Sequence, residues 1–387
     1  MSAIPNENSL TGLGNRMIRA WDRFWFTPGD PTILGLIRIC CGLVVLYVHL
    51  AYSYDLQTFF GKDAWLSLEQ INESRKHVPW VGPPTGWEPL SPIPASNPQE
   101  QAFIDRWTVH PSQVMAYGQP LWSIYYHVTD PTWMWVVHGT ILTIMLLFTI
   151  GFCTRVVSVL TWLGLLCYIQ RAPTSLFGMD TIMIVVVLYL MIGPSGAALS
   201  VDRLLACRRA TRYALREHLP PPEFLHPPFS ISANVALRLL QIHVCIIYAA
   251  SGLSKLQGPA WWSGVAVWGT MANYEFSPMP YRIYMEFLRF LSQHRWLWEL
   301  VMTGGSYFTL VFEIGFAFLV WNRRLCWTML VAAVLLHTGI AIFMGLVTFS
   351  LMMLTLVLAF VPSATVRDVF GRLRGRMAGP QLRLGKA

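Results

Sequence analysis

Apolar residues run along this chain in long blocks, separated by short tracts rich in arginine and proline, and few polar positions interrupt a block. Eight blocks stand out, at about residues 32–53, 131–150, 156–169, 178–198, 232–256, 297–321, 325–345 and 347–361. At roughly 1.5 Å rise per residue, about 20 apolar residues cross a ~30 Å hydrocarbon core. The pattern therefore predicts an all-α, polytopic membrane bundle of about eight transmembrane helices, the blocks at 156–169 and 347–361 being the shortest. Composition agrees, with 54% hydrophobic and 12% charged residues among 387, where a soluble domain carries about 25% charge. The formal net charge of +8 would suit nucleic acid, but the basic residues gather between apolar blocks. That is the positive-inside arrangement, and it excludes a nucleic-acid reading.

Residues 1–30 carry Arg16, Arg19 and Arg23 beside an aromatic stretch at 21–26, which predicts an amphipathic helix on the cytoplasmic surface and no cleavable signal peptide. Residues 31–363 form one membrane domain, with external loops at about 54–130 and 257–297 and a cytoplasmic linker at about 199–231 holding Arg203, Arg208, Arg209, Arg212 and Arg216. A basic cytoplasmic tail, 364–387, follows. Eight crossings put both termini and every dense arginine tract inside a bacterial inner membrane, where those arginines meet anionic lipid head groups. The first loop is proline-rich, with short surface helices expected at 99–107 and 119–127; the second is expected to hold an interfacial amphipathic helix. The seven cysteines form no CxxC and no metal-type cluster, so they read as small core hydrophobes and no metal site is expected.

The chemistry concentrates in the fifth block. Arg238, Gln241, Cys245, Tyr248, Gly252 and Lys255 follow spacings of 3, 4, 3, 4 and 3, which lines them along one helical face. Lipid does not tolerate such a stripe, so it should face the bundle interior, while His243 points elsewhere as a local hydrogen-bonder. Lys255 closes the block and is followed by Trp261 and Trp262. Two readings stand side by side: a snorkelling anchor with its aromatic belt, or a poorly solvated amine acting as a base. Arg38, Glu313 and His337 interrupt other blocks, and titratable groups at such depth are functional or partnered. Counting residues from the expected helix ends places Lys255, His337, Asp180 and Arg171 near the outer face, with Arg171 and Asp180 flanking one turn and able to pair. The same count puts Glu313 and Arg38 deeper, as a structural pair.

Gly35-x-x-Arg38, Gly151-x-x-Thr154-Arg155, Arg171-x-Pro173 followed by Gly178-x-Asp180, Ser200-Val-Asp202, the run from Ala250 to Leu256 with its following Trp and Gly, Phe312-Glu313, and His337 ahead of Phe349-Ser350 together resemble the HTTM (horizontally transferred transmembrane) family. These are bacterial relatives of the membrane domain of vitamin K-dependent gamma-carboxylase, and the resemblance covers about residues 15–365. It implies a carboxylase-like lyase or quinol-oxidising enzyme using a vitamin K-like quinol, with Lys255 at the position of the base that deprotonates it. His337 is similar to a histidine late in that domain. Ser254-Lys255 stands where the carboxylase has two lysines, and a histidine of its Asn-Asn-His motif falls near Met179 and Asp180. Only a short basic tail follows the last block, so carboxylation of a protein glutamate is not implied. The expected catalytic set is Lys255, His337 and Asp180; Arg171, Arg238, Tyr248, Trp261 and Trp262 would bind substrate, and Arg38 and Glu313 would be structural. Partners would be membrane lipid, a lipid-soluble quinone and a secreted peptide or protein. The competing class is a non-catalytic membrane protein, either a maturation or immunity partner for a peptide or a lipid-binding scaffold. A transporter is disfavoured, since no inverted repeat is visible.

Overall fold

The computed structural model describes residues 10–77, 97–99, 122–220, 227–275, 277–278 and 280–377. The surface helix expected at 99–107 and the first residues of the one at 119–127 lie outside these; Ile124–Tyr126 forms a single 3₁₀ turn. The described residues are helical and contain no strand, only an isolated bridge between Gly29 and Ser230.

Among the described residues, five helices are long and apolar enough to cross a membrane: α2 (Thr32–Ala51, continued by a 3₁₀ turn to Tyr54), α5 (Pro131–Ile150), α9 (Ile231–Lys255), α13 (Arg295–Leu319) and α14 (Cys326–Phe343). The chain is thus a multi-pass membrane protein. The other three apolar blocks also form helices, but shorter or more polar ones. In α6 (Thr154–Arg171) Arg155, Gln170 and Arg171 dilute the hydropathy; α7 (Gly178–Ile192) has 15 residues. The 11-residue α15 (Val347–Val357) runs through a 3₁₀ turn and then bends by 106° into the basic α16 (Ser363–Met377), which would make a sixth crossing if the bent pair counts as one. The remaining helices are α1 (Leu10–Phe26), α3 (Leu56–Phe60), α4 (Leu68–His77), α8 (Val201–Arg216), α10 (Pro259–Trp262), α11 (Ala266–Met271) and α12 (Arg282–Gln293). The expected amphipathic helices are present as α1, with Met17, Ile18 and Trp21 exposed, and α12, which buries Tyr284, Leu288 and Leu291.

The chain divides into two compact units, residues 1–48, 143–162 and 177–387 forming one, and residues 49–142 and 163–176 the other. In the first, α9 is the hub, packing against α1, α7, α13 and α15. Ser230 caps its start by accepting the Ala233 amide at 3.1 Å, and Asn234 donates to the carbonyls of Phe24 and Trp25 at 2.7 and 2.9 Å. Arg38 is fully buried, and its partners are the carbonyls of Ser195 (2.8 Å) and Leu199 (2.6 Å) in the turn between α7 and α8. The expected pair with Glu313 is not found: the guanidinium donates instead to carbonyls of the turn between the two helices. Gly151 borders this guanidinium with φ of +73°, and a Cβ there would meet Arg38 Nη1 at 2.4 Å. Any side chain would both strain the turn and displace the arginine. Asp202 then closes the corner, accepting the amides of Cys153 and Thr154 at 2.8 Å each and the Thr154 hydroxyl at 2.7 Å.

The second unit is an aromatic cluster in which the rings of His49, Tyr52 and Phe60 surround Tyr168. Arg171 is fully buried beside it and donates to the carbonyls of Leu66 (3.0 Å) and Gly61.

Burial favours the neutral form of Asp202, but the Thr154 and Cys153 bonds and the charge of Arg38 outweigh it and hold the carboxyl below its ordinary range. A carboxyl with a depressed folded pKa stabilises above its unfolded pKa, and that contribution is lost as pH falls through the folded value. Asp202→Ala should therefore lower stability at neutral pH by about 1–2 kcal/mol. In thermal unfolding followed against pH, it should also flatten the acid limb below about pH 4.

Candidate functional site

The predicted stripe on α9 faces protein throughout: Gln241, Cys245, Tyr248 and Gly252 are buried, and Arg238 and Lys255 are partly so. Each member meets a different neighbour. Gln241 donates to the Ala359 carbonyl at 2.8 Å, and Arg238 lies over the Phe24 ring at 4.4 Å while donating to Gln241 Oε1 at 2.8 Å. His243, off the stripe, lies 3.5 Å from the Tyr189 hydroxyl.

Lys255 is neither an unpaired amine nor a free anchor. Its Nζ lies 2.9 and 2.7 Å from the two carboxylate oxygens of Glu313 and 2.6 Å from Ser251 Oγ, so all three ammonium donors are used. Ser251 Oγ in turn approaches Glu313 Oε1 at 3.3 Å. The local geometry follows from the helix itself: side chains tilt toward the helix N-terminus, which brings Lys255 back over Ser251 one turn earlier. Gly252 lets α13 come close enough to close the pair, since a Cβ there would sit 2.8 Å from Ile314 Cγ1 and 3.1 Å from Glu313 Cβ. The Lys255 side chain is 21% exposed and that of Glu313 is 7%. The open side of the amine faces the Trp261 ring, 5.4 Å away.

Glu313 is thus the partner of Lys255 and not of Arg38. Counting from helix ends misplaces it because α9 and α13 are staggered. The residues from Arg295 to Phe312, roughly 27 Å of helix, continue past the end of α9 and pack beside α11 and α12, where Met271, Tyr284, Leu288, Leu291 and Met302 form a small core.

Two turns before Lys255, the Tyr248 hydroxyl lies 2.8 Å from His337 Nε2, with both residues 2% exposed. Phe312 and Phe316 hold the tyrosine ring, at 5.1 and 4.5 Å between centroids. His337 Nδ1 is buried without a hydrogen-bond partner among the described residues, as are the hydroxyls of Ser306 and Ser350. Lys255, Glu313, Tyr248 and His337 therefore come from three helices onto one side of α9.

The other expected members have partners of their own. Asp180 is buried at the start of α7 and accepts the Phe177 amide at 2.8 Å, capping its own helix. Arg171 is held by the Gly61 and Leu66 carbonyls, so neither residue of the expected Arg171–Asp180 pair needs the other. Arg238 sits 17 residues before Lys255 (255 − 238), roughly 26 Å along α9. Trp262 is exposed and donates its indole N–H to the Leu256 carbonyl at 2.7 Å, which closes the end of α9. Among the described residues, no group of three His, Cys, Asp or Glu side chains could hold a metal ion.

Tyr248→Phe would leave both nitrogens of a buried imidazole unpartnered, which should cost about 1–3 kcal/mol. Tyr248→Phe combined with His337→Leu should recover part of that loss, because removing both polar partners is milder than orphaning one. Thermal unfolding in detergent of the two variants checks the order. Compared with protein-family models, curated proteins and solved structures, the chain matches none.

Proposed function

We propose that this membrane protein is an enzyme that takes a proton from a lipid-soluble acidic substrate, of the quinol class, at the Lys255–Glu313 pair. The observation that carries the reading is the pair itself: an amine and a carboxylate from adjacent helices, 2.7 Å apart, with the carboxylate buried and the amine partly reachable. In the resting pair Nζ donates to both carboxylate oxygens, which sets the path for a proton between them. Transfer of one proton to Glu313 leaves Lys255 neutral, and the neutral amine can then accept a phenolic proton from a quinol lying against Trp261. Glu313 acts as the proton store that lets a lysine serve as a base, and Tyr248 with His337 forms the polar floor beneath it. The resemblance to the HTTM family points the same way.

The sidedness belongs to this proposal. Asn234 at the start of α9 meets α1, and Arg367 of α16 pairs with Asp30 just ahead of α2, so basic helices gather at the end of α9 away from Lys255. By the positive-inside rule that end is cytoplasmic, the termini lie inside and the pair opens toward the outer side of a bacterial inner membrane.

A second reading, a non-catalytic partner for a secreted peptide or a lipid-binding scaffold, is favoured by the complete pairing of the amine. The two readings separate on Lys255→Met. If the pair is an acid–base couple, the variant loses quinol turnover by at least roughly a hundredfold in purified protein, and Lys255→Arg, which stays charged, loses it as well. If Lys255→Met remains folded and turns over quinol as the wild type does, the enzymatic reading is wrong.

A further inference from the structure

A second chain of titratable groups lies in the other unit, formed by residues 49–142 and 163–176. Ser53 Oγ is 2.8 Å from His138 Nε2, His138 Nδ1 is 2.6 Å from the Tyr168 hydroxyl, and the Tyr125 hydroxyl donates to that of Tyr168 at 3.1 Å. His138, Tyr168 and Tyr125 are 0, 3 and 1% exposed, whereas Ser53 is only half-buried. The hydroxyl of a half-buried serine is thus bonded to one nitrogen of a fully buried imidazole, and the other nitrogen is held by a third group. That is the arrangement that activates a serine, with a phenol in the orienting position usually taken by a carboxylate.

The setting supports chemistry at Ser53 more than packing alone. Tyr168 is fixed by the rings of His49 at 4.6 Å, Phe60 at 5.0 Å and Tyr125 at 5.4 Å. The phenol that meets the imidazole is thus packed on several sides by rings. Ser53 sits in the 3₁₀ turn that closes the α2 span, among its last residues, where a lipid ester could reach it.

We propose that Ser53 is the nucleophile of a second site, with His138 as its general base and Tyr168 as a positioning residue, acting on a carboxylic ester. Ser53 Oγ bonds to the ester carbonyl carbon as its proton passes to His138 Nε2. The bond from that carbon to the leaving alcohol breaks, and the alcohol takes the proton from His138. Water then adds to the acyl carbon with His138 accepting its proton, the bond to Oγ breaks, and Ser53 recovers the proton as the carboxylic acid leaves. Nothing in this sequence needs an oxidant or a metal, and none of its residues belongs to the Lys255 pair.

The test is covalent labelling of the full-length protein in detergent with a fluorophosphonate probe, read by mass spectrometry of the Ser53 peptide. The wild type should be labelled at Ser53, and Ser53→Ala should not. His138→Gln should label at least roughly a hundredfold more slowly. Tyr168→Phe should label several-fold more slowly and with a shifted pH profile, which loss of a merely structural bond would not produce. Thermal unfolding establishes that each variant is folded. Should His138→Gln fail to fold, His138→Asn serves instead, and it should show the same slowing. A folded wild type that takes no label at Ser53 overturns the proposal, as does a folded His138→Gln or His138→Asn labelled at the wild-type rate.

Discussion

Burying a charge among apolar helices is expensive, and the means by which each cation is compensated organises this molecule. Arg38 and Arg171 are fully buried, and both are compensated by backbone carbonyls, of Ser195 and Leu199 in one case and of Gly61 and Leu66 in the other. A guanidinium keeps its proton under all ordinary conditions, so these are static locks on backbone carbonyls. Lys255 differs in kind. It faces a carboxylate, and an amine–carboxylate pair can redistribute a proton where an arginine–carbonyl contact cannot. That chemical difference, more than depth, singles out the Lys255 end of α9.

The pair depends on packing in turn. It forms because α9 stops at Lys255 while α13 continues, which leaves the amine beside the flank of a helix and not at its tip. Gly252 permits the close approach, Ser251 supplies the third acceptor, and Trp261 covers the open side without sealing it. Two turns back along α9 the buried Tyr248–His337 bond and the Phe312 and Phe316 rings pack together. Burial of this kind lowers the local dielectric and strengthens the polar interactions beside it.

Much of this was legible in the sequence where the signal was periodic. The 3–4 spacing from Arg238 to Lys255 identified the buried face of α9, and the apolar blocks identified the membrane helices. What sequence could not supply were partners. Glu313 was assigned to the wrong cation because distance from a helix end stands for depth only when helices are in register, and α13 is offset. Arg171 and Asp180 are near in sequence, yet each found backbone groups, which leave no signature in a residue string. Ser53, His138 and Tyr168 went unnoticed because they come from separate helices. The one signal that could have raised them was a histidine within the apolar block at 131–150.

The central claim is that Lys255 and Glu313 act as one coupled unit in a poorly solvated interface. A double-mutant cycle with Lys255→Met and Glu313→Leu, read as unfolding free energy in detergent at neutral pH, tests it most directly. Removing either partner strands the other charge, so the double variant should be less destabilised than the sum of the singles, with a coupling of about 1–3 kcal/mol. Singles that add to within about 0.5 kcal/mol would show two independent residues and contradict the account.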